Sequence, residues 1–248
     1  VGQRPDDLSY ERTARKRAES LGIAIRPYEL DEFAPQAAIE AAIHEVNRDE
    51  NVHGCLLFRP LPSFVDESHM CELLDPKKDI DGITLASLAS VFTDGHAGYP
   101  PATAAACIQL LDHYQVPLQG KHVVVVGRSL VVGKPVSMML LRRNASVTIC
   151  HSKTENLADI MRSADVVICA TGRARTFGAQ FFGPGQTVLD VGINFDTQGN
   201  LCGDVDFAEV EPVVAAITPV PGGIGTVTTS VTMAHTVAAA EAALAART

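Results

Sequence analysis

The chain lacks the features that would take it into a membrane or onto nucleic acid. No apolar run among its 248 residues is long enough to span a bilayer, and no signal peptide is visible. Basic residues are the minority, 20 Lys and Arg against 29 Asp and Glu, for a net charge of −9. That argues against nucleic-acid binding through an overall basic surface and leaves small acidic ligands open, because local fields are not set by net charge. No CxxC pair exists among Cys55, Cys71, Cys107, Cys150, Cys169 and Cys202. Three of them, Cys55, Cys150 and Cys169, sit in apolar strand-like runs, so they read as small hydrophobes in a reducing compartment, and a cytoplasmic location is expected. The 8 histidines show no HxxxH or comparable spacing, so no metal site is expected. Nucleophile elbow, Walker pattern, internal repeat and low-complexity linker are all missing. An initiating Met is also absent, and Val1-Gly2 reads as the end of a strand, so further chain is expected before Val1.

The remaining composition, 46% hydrophobic and 20% charged, is that of an α/β protein of one or two domains. Asp7 or Ser9 is positioned to cap a helix that stops at Gly22. Ile23 to Ile25 reads as a short strand. Ala34 to Asn47 reads as a helix, Gly54 to Phe58 as a buried strand, Glu67 to Leu74 as a short helix and Lys77 to Gly82 as a loop. A helix is expected over Ala102 to Tyr114, and a turn over Pro117 to Lys121. Strands follow at Val123–Val126, Ala145–Cys150, Val166–Thr171 and Thr187–Val191, with a helix from about Asn156 to Ser163 and a last one from Val227. Strands alternating with helices predict a mostly parallel sheet. The C-terminal helix is expected to return to the first half, which makes the first domain discontinuous: 1–113 plus 228–248, with a dinucleotide-type domain over 114–227.

The most specific stretch is VVVVGRSLVVGKPVSMMLLRRNASVTICHSKT. A β-branched run enters a turn at Gly127-Arg128-Ser129, and Gly133-Lys134-Pro135 opens a helix. The turn is not GxGxxG and alone is weak evidence, but its place between strand and helix suits a phosphate, which free N–H groups and the helix dipole both favour. NAD-specific sites usually carry Asp or Glu after the second strand to bind the ribose 2′-hydroxyl. Here that place holds His151-Ser152-Lys153, with Arg128 in the first turn. A 2′-phosphate suits such groups, so the residues predict NADP rather than NAD.

GRSLVVGKP, CHSKT, DVGIN and TPVPGGIGTVT resemble the bifunctional methylenetetrahydrofolate dehydrogenase/cyclohydrolase family, as do VGQRPDDLSYERTARKRAESLGI and KKDIDGI. The resemblance runs through essentially the whole chain in order. It implies two α/β domains around a cleft, the second a Rossmann-like NADP-binding domain with a parallel sheet, a folate substrate and a homodimer. Residue by residue, it implies that Gly127, Arg128 and Ser129 form the pyrophosphate turn, that Ser152 lies near the 2′-phosphate and that Ile193 contacts the cofactor; Gly133, which opens the helix, is a further expected cofactor-binding residue. Tyr10 and Asp81 match folate-site residues that serve catalysis. Pro221, Gly222, Gly223 and Gly225 match the loop lining substrate and nicotinamide. Beside the functional reading, Tyr10 has a lesser one as a packing residue, and Asp81, read without the family, is an Asx-turn former.

Departures from the family pattern cluster in the folate half. The family's Tyr-x-x-x-Lys becomes Tyr10-Glu11-Arg12-Thr13-Ala14, so Ala14 stands where the family has its Lys. Lys16 is two residues on, about 200° around the helix. The family's Gln before the PLP turn is Phe58. Its Cys-Thr-Pro-x-Gly is Ala102-Thr103-Ala104-Ala105-Ala106, an expected Asn is Ser87, and Pro-Met-Thr is Thr226-Val227-Thr228. Arg59 is a weak candidate for a replacement cation, since in a strand it faces away from Phe58. Hydride transfer from a methylene bridge between two nitrogens needs no strong general base, whereas hydrolysis of the methenyl cation needs water activation. The expectation is therefore an NADP-dependent dehydrogenase whose cyclohydrolase is weak or lost. The alternatives are a diverged paralogue acting on another folate-like or imine substrate, and a non-catalytic NADP-binding protein.

Overall fold

A computed structural model describes residues 1–247 and leaves aside the side chains of Pro5, Asp6 and Ser9. By the density of contacts the chain divides into two units: Val1–Ala102 together with the chain from Thr229, and Thr103–Thr228.

The first unit carries helices α1 (Pro5–Ser20), α2 (Gln36–Arg48), α3 (Glu67–Leu73) and α4 (Leu85–Thr93). Helix α1 begins with Pro5 in its first turn, where a missing N–H costs nothing. Its N-cap is Arg4 without a side-chain cap. Asp7, one of the two expected caps, instead takes the Arg4 guanidinium at 2.8 and 2.9 Å; Ser9, the other, lies outside the described side chains. Gly22, at φ +71°, closes the helix as expected, its N–H on the Glu19 carbonyl at 3.1 Å. Helix α2 buries Ile39, Ile43 and Val46, one stripe at helical spacing, against Met70 and Cys71 of α3 and Leu61, Val65 and Leu74.

Two expected strands are not formed. Ile23–Ile25 has no ladder, and Gly54–Phe58 reduces to a single parallel bridge between Cys55 and Asp79. The residues are extended, but a strand needs a partner along its length, and the described chain offers one bond there, Cys55 N–H to the Lys78 carbonyl at 2.7 Å. Helix α4 is the converse, a helix not expected from the sequence. Thr84 caps it by accepting from the Ser87 N–H, and Asp94 ends it in the left-handed region at φ 58°.

The second unit is built on α5 (Ala102–His113), β1 (His122–Val126), α6 (Gly133–Arg142), β2 (Ser146–Cys150), α7 (Leu157–Arg162), β3 (Val166–Cys169), β4 (Thr187–Asp190), β5 (Asn194–Phe195), β6 (Leu201–Cys202), α8 (Phe207–Val210), β7 (Ala216–Ile217) and α9 (Ile224–Ala245). Two of these helices are shared between the units. All of α5 but Ala102 belongs to the second, while α9 leaves it after Thr228 and continues in the first. Strands β2-β1-β3-β4-β7 form one parallel sheet, with β1 central enough that Val123–Val126 are fully buried. Burial on both faces is why these strands read as unbroken apolar runs. One face packs Val124, Val126, Val167, Cys169 and Val188 against Met161 of α7, Phe177, Phe182 and Val210. β5 and β6 pair separately and antiparallel. Among the described residues, no helix is long and apolar enough to cross a membrane.

Candidate functional site

Strand β1 runs into the glycine turn with its neighbour β2 in register, Val126 opposite Cys150, and the Gly127 N–H extends the ladder to the Cys150 carbonyl at 2.9 Å. Arg128 and Ser152 each lie two residues past these paired ends. Adjacent strands are about 4.8 Å apart, so the fold brings the two expected phosphate-binding residues to one place. Both are exposed, and Arg128 has no ion-pair partner among the described residues. Lys153 is also exposed, and its N–H is spent on His151 Nδ1 at 3.1 Å in a turn closed by Thr154. No carboxylate follows β2 until Glu155.

Two glycines make this turn. A β-carbon on Gly127, at φ +134°, would stand 2.2 Å from the Ala170 carbonyl oxygen at the end of β3. One on Gly133 would stand 2.1 Å from the Gly127 carbonyl oxygen. The backbone therefore folds back on itself and leaves a cradle that any side chain would fill. Ser129 shapes it: its hydroxyl accepts from Val132 N–H at 3.1 Å and more weakly from Gly133 N–H at 3.5 Å, at the start of α6.

Ile193 follows β4 and is 61% exposed. Its Cδ1 lies 3.6 Å from where a Gly225 β-carbon would be, so the fold also brings together the expected cofactor contact and the glycine loop. Pro221 and Gly222 are exposed, with Gly222 at φ +100°, and Gly223 packs so tightly that a β-carbon would stand 2.4 Å from the Pro219 carbonyl oxygen. Helix α9 starts at Ile224, three residues before the expected Val227, because Ile224 is buried and its carbonyl takes the Thr228 hydroxyl at 3.1 Å. Gly225 is thus helical.

Two aspartates here escaped the sequence reading. Asp190, at the end of β4, accepts N–H groups from Gly192, Asp204 and Val205 at 3.1, 2.9 and 2.9 Å. Burial pushes its carboxyl up to about 6 against the pull of those N–H groups, with the nearby Asp204 adding to the rise. Asp204 gathers donors from the segment after β3 and from Asn194. No spacing signals such partners, which lie far away in sequence.

In the first unit, Tyr10 of α1 meets the Phe58 ring edge-on, with centroids 5.9 Å apart at 83°. Its hydroxyl is hydrogen-bonded by Thr229 and Thr232 of α9, one turn apart and also unforeseen. Burial first, then the Asp81 charge, pushes the phenol up to about 12. Asp81 itself is raised to about 7, by burial first; the Arg59 cation opposes the rise and Asp79 adds to it. Tyr10, Phe58 and Asp81 are thus neighbours. Arg59 was expected to face away, yet the chain there is no regular strand; its guanidinium pairs with Glu67 at 3.5 Å and its field reaches Asp81. Ala14, one turn beyond Tyr10, is 4% exposed, while Lys16 is exposed. Asp79 and Ser87 are structural: the buried Asp79 accepts from Ile83 N–H and Thr84 N–H at 2.9 Å each and from the Ser87 hydroxyl at 2.7 Å.

The model of the tetrahydrofolate dehydrogenase/cyclohydrolase catalytic domain matches residues 1–81, and that of the NAD(P)-binding domain of the same family matches residues 101–244. The bifunctional protein FolD of Carboxydothermus hydrogenoformans is 49% identical over 243 residues, covering 97% of this chain and 85% of that protein. The solved bifunctional FolD methylenetetrahydrofolate dehydrogenase/cyclohydrolase of Campylobacter jejuni superposes with a TM-score of 0.94 at 36% identity, over 98% of this chain and 86% of that one. The FolD enzyme of Trypanosoma brucei, solved with NADP and an inhibitor, gives 0.93 at 32% identity, over 98% and 85%. The chain belongs to the tetrahydrofolate dehydrogenase/cyclohydrolase family.

Proposed function

We propose that this chain is an NADP-dependent 5,10-methylenetetrahydrofolate dehydrogenase whose cyclohydrolase activity is weak or lost. The observation that carries the cofactor half is the pair Arg128 and Ser152 at the ends of adjacent strands, beside a turn that only glycines can make. The cradle fits a pyrophosphate, and an exposed guanidinium with a hydroxyl fits a 2′-phosphate. Bound NADP supplies the hydride acceptor. The residues that orient it are Gly127, Arg128, Ser129, Gly133, Ser152 and Ile193, and orientation is most of what this reaction asks, because the nitrogen lone pair of the substrate helps to expel the hydride.

Tyr10, Phe58 and Asp81 are the residues proposed for the folate in the first unit, and Pro221, Gly222, Gly223 and Gly225 are proposed as substrate-binding residues of the second. Phe58 offers a ring where the family has a polar amide, and Tyr10 packs against it. Ala14 has no amine to deliver to a water, and removing an acid–base group of that kind costs about 10² to 10⁴ in rate. Hydride transfer is untouched by that loss. The same replacements favour one second reading, a paralogue acting on another folate-like or imine substrate. A homodimer in the cytoplasm completes the proposal.

Initial rates with methylenetetrahydrofolate and either NADP or NAD test the cofactor assignment. A marked preference for NADP is expected, and equal use of the two by the intact protein overturns it.

A further inference from the structure

Ile193 has its side chain in the open and both neighbours held down. The Gly192 N–H goes to Asp190 at 3.1 Å, and the Asn194 side-chain amide donates to Asp204 Oδ1 at 3.0 Å. Asp204 does more. It accepts the Arg173 N–H at 2.9 Å, the Gly172 N–H at 3.2 Å, the Thr171 hydroxyl at 2.9 Å and the Thr171 N–H. The two carboxylates are themselves linked, since Asp190 accepts the Asp204 N–H at 2.9 Å. The chain must come very close for this: β-carbons on Gly192 and Gly203 would stand 2.1 Å from Asp204 Oδ1 and 1.8 Å from Asp190 Oδ2.

One fully buried carboxylate thus ties together two segments that leave the ends of β3 and β4. The first continues from Ala170, whose carbonyl oxygen packs on Gly127 at the start of the phosphate turn. The second presents Ile193. An apolar contact could hold two loops together without the cost of burying a charge. What a carboxylate adds is direction, because charge-assisted bonds to several N–H groups fix the backbone within a narrow range of positions.

We propose that Asp204, acting through Asn194 and the Thr171–Arg173 segment, is a positioning residue that sets cofactor affinity. The proposal rests on reading the second unit as the NADP site.

The test uses the full-length chain with four substitutions: Asn194→Ala, Thr171→Val, Thr171→Ser and Asp204→Asn. NADPH is titrated by its fluorescence, giving a Kd and a stoichiometry for each. Loss of one charge-assisted bond predicts a Kd raised about five- to tenfold for Asn194→Ala and Thr171→Val, with binding still at one NADPH per folded chain. Thr171→Ser, which keeps the donor, stays within about twofold of the intact protein, and Asp204→Asn shows the largest rise. A purely structural role gives the opposite pattern, a falling stoichiometry at unchanged Kd, and that result overturns the proposal. Should Asp204→Asn fail to fold, Asn194→Ala, at a half-buried position, decides by itself. An intact protein that binds no NADPH refutes the NADP reading itself; tight binding by the intact protein with unchanged Kd in the variants refutes only the role of Asp204.

Discussion

Replacing Asp81 by Asn should change how stability depends on pH. The Asp81 carboxyl sits at about 7 in the folded chain against an ordinary value of 3.8, raised by burial and by Asp79 in spite of Arg59. Below pH 3.8 the group is protonated in both folded and unfolded chains and has no effect on stability. As pH rises from there, the unfolded chain ionises first and the folded chain resists, so stability falls until about pH 7, above which the loss is complete and constant. At about 1.4 kcal/mol per tenfold, the gap is worth at most about 4 kcal/mol; partial solvent access to the half-buried side chain screens this to roughly 2 kcal/mol. Asp81→Asn keeps the shape and removes the charge, and no side-chain hydrogen bond of Asp81 to the described residues is at stake. The assay is urea unfolding of both proteins at intervals from about pH 4 to pH 8. Groups common to both, such as Asp190, cancel in the difference. The variant should match the intact protein at the acid end and exceed it by roughly 2 kcal/mol at the alkaline end. A flat difference, or a variant that loses ground as pH rises, would show that Asp81 is not held neutral in the folded chain.

Arg128→Ala should raise the Kd for NADPH about tenfold or more and leave that for NADH nearly unchanged, as measured by parallel titrations of the fluorescence of the reduced cofactors. Ser87→Ala removes a donor from the buried Asp79 and leaves the Thr84 hydroxyl, now 2.9 Å from Ser87 Oγ, without its acceptor. It should cost about 1–3 kcal/mol in urea unfolding, and no measurable loss would contradict the structural role assigned to Ser87. The double substitution Ala14→Lys with Phe58→Gln restores the polar pair of the family. Methenyltetrahydrofolate hydrolysis should then rise by about 10² over the intact protein, and an unchanged rate in a folded variant would show that the loss lies elsewhere.

The second unit was legible because its strands are buried on both faces. Val123–Val126 and Val166–Cys169 announce themselves as unbroken apolar runs, and the parallel register then carries Arg128 and Ser152 to one place without further information. Ile23–Ile25 and Gly54–Phe58 have the same local character but no ladder, since pairing is a property of two segments and the residues of one do not reveal it. Helix α4 was missed because LASLASVFT buries only Ser87 and Val91, too sparse a stripe for a periodic signal. In the candidate site, Tyr10, Phe58 and Asp81 were named through family resemblance, as nothing in their spacing says that they meet. Asn194 lies within the DVGIN motif but nothing there says what it holds, and Asp204 gave no signal of either kind, for the groups that it gathers lie 10 to 33 positions away.

A dehydrogenase of this kind forms its methenyl product and does not hydrolyse it. One progress curve tests both halves. Methylenetetrahydrofolate and NADP are mixed with the intact protein, and reduced cofactor and methenyltetrahydrofolate are followed together, against an enzyme-free control for spontaneous decay. Both should rise in equal amounts, and methenyltetrahydrofolate should then decay no faster than in the control. Absence of NADPH would contradict the dehydrogenase, and NADPH without accumulated methenyltetrahydrofolate would contradict the loss of cyclohydrolase.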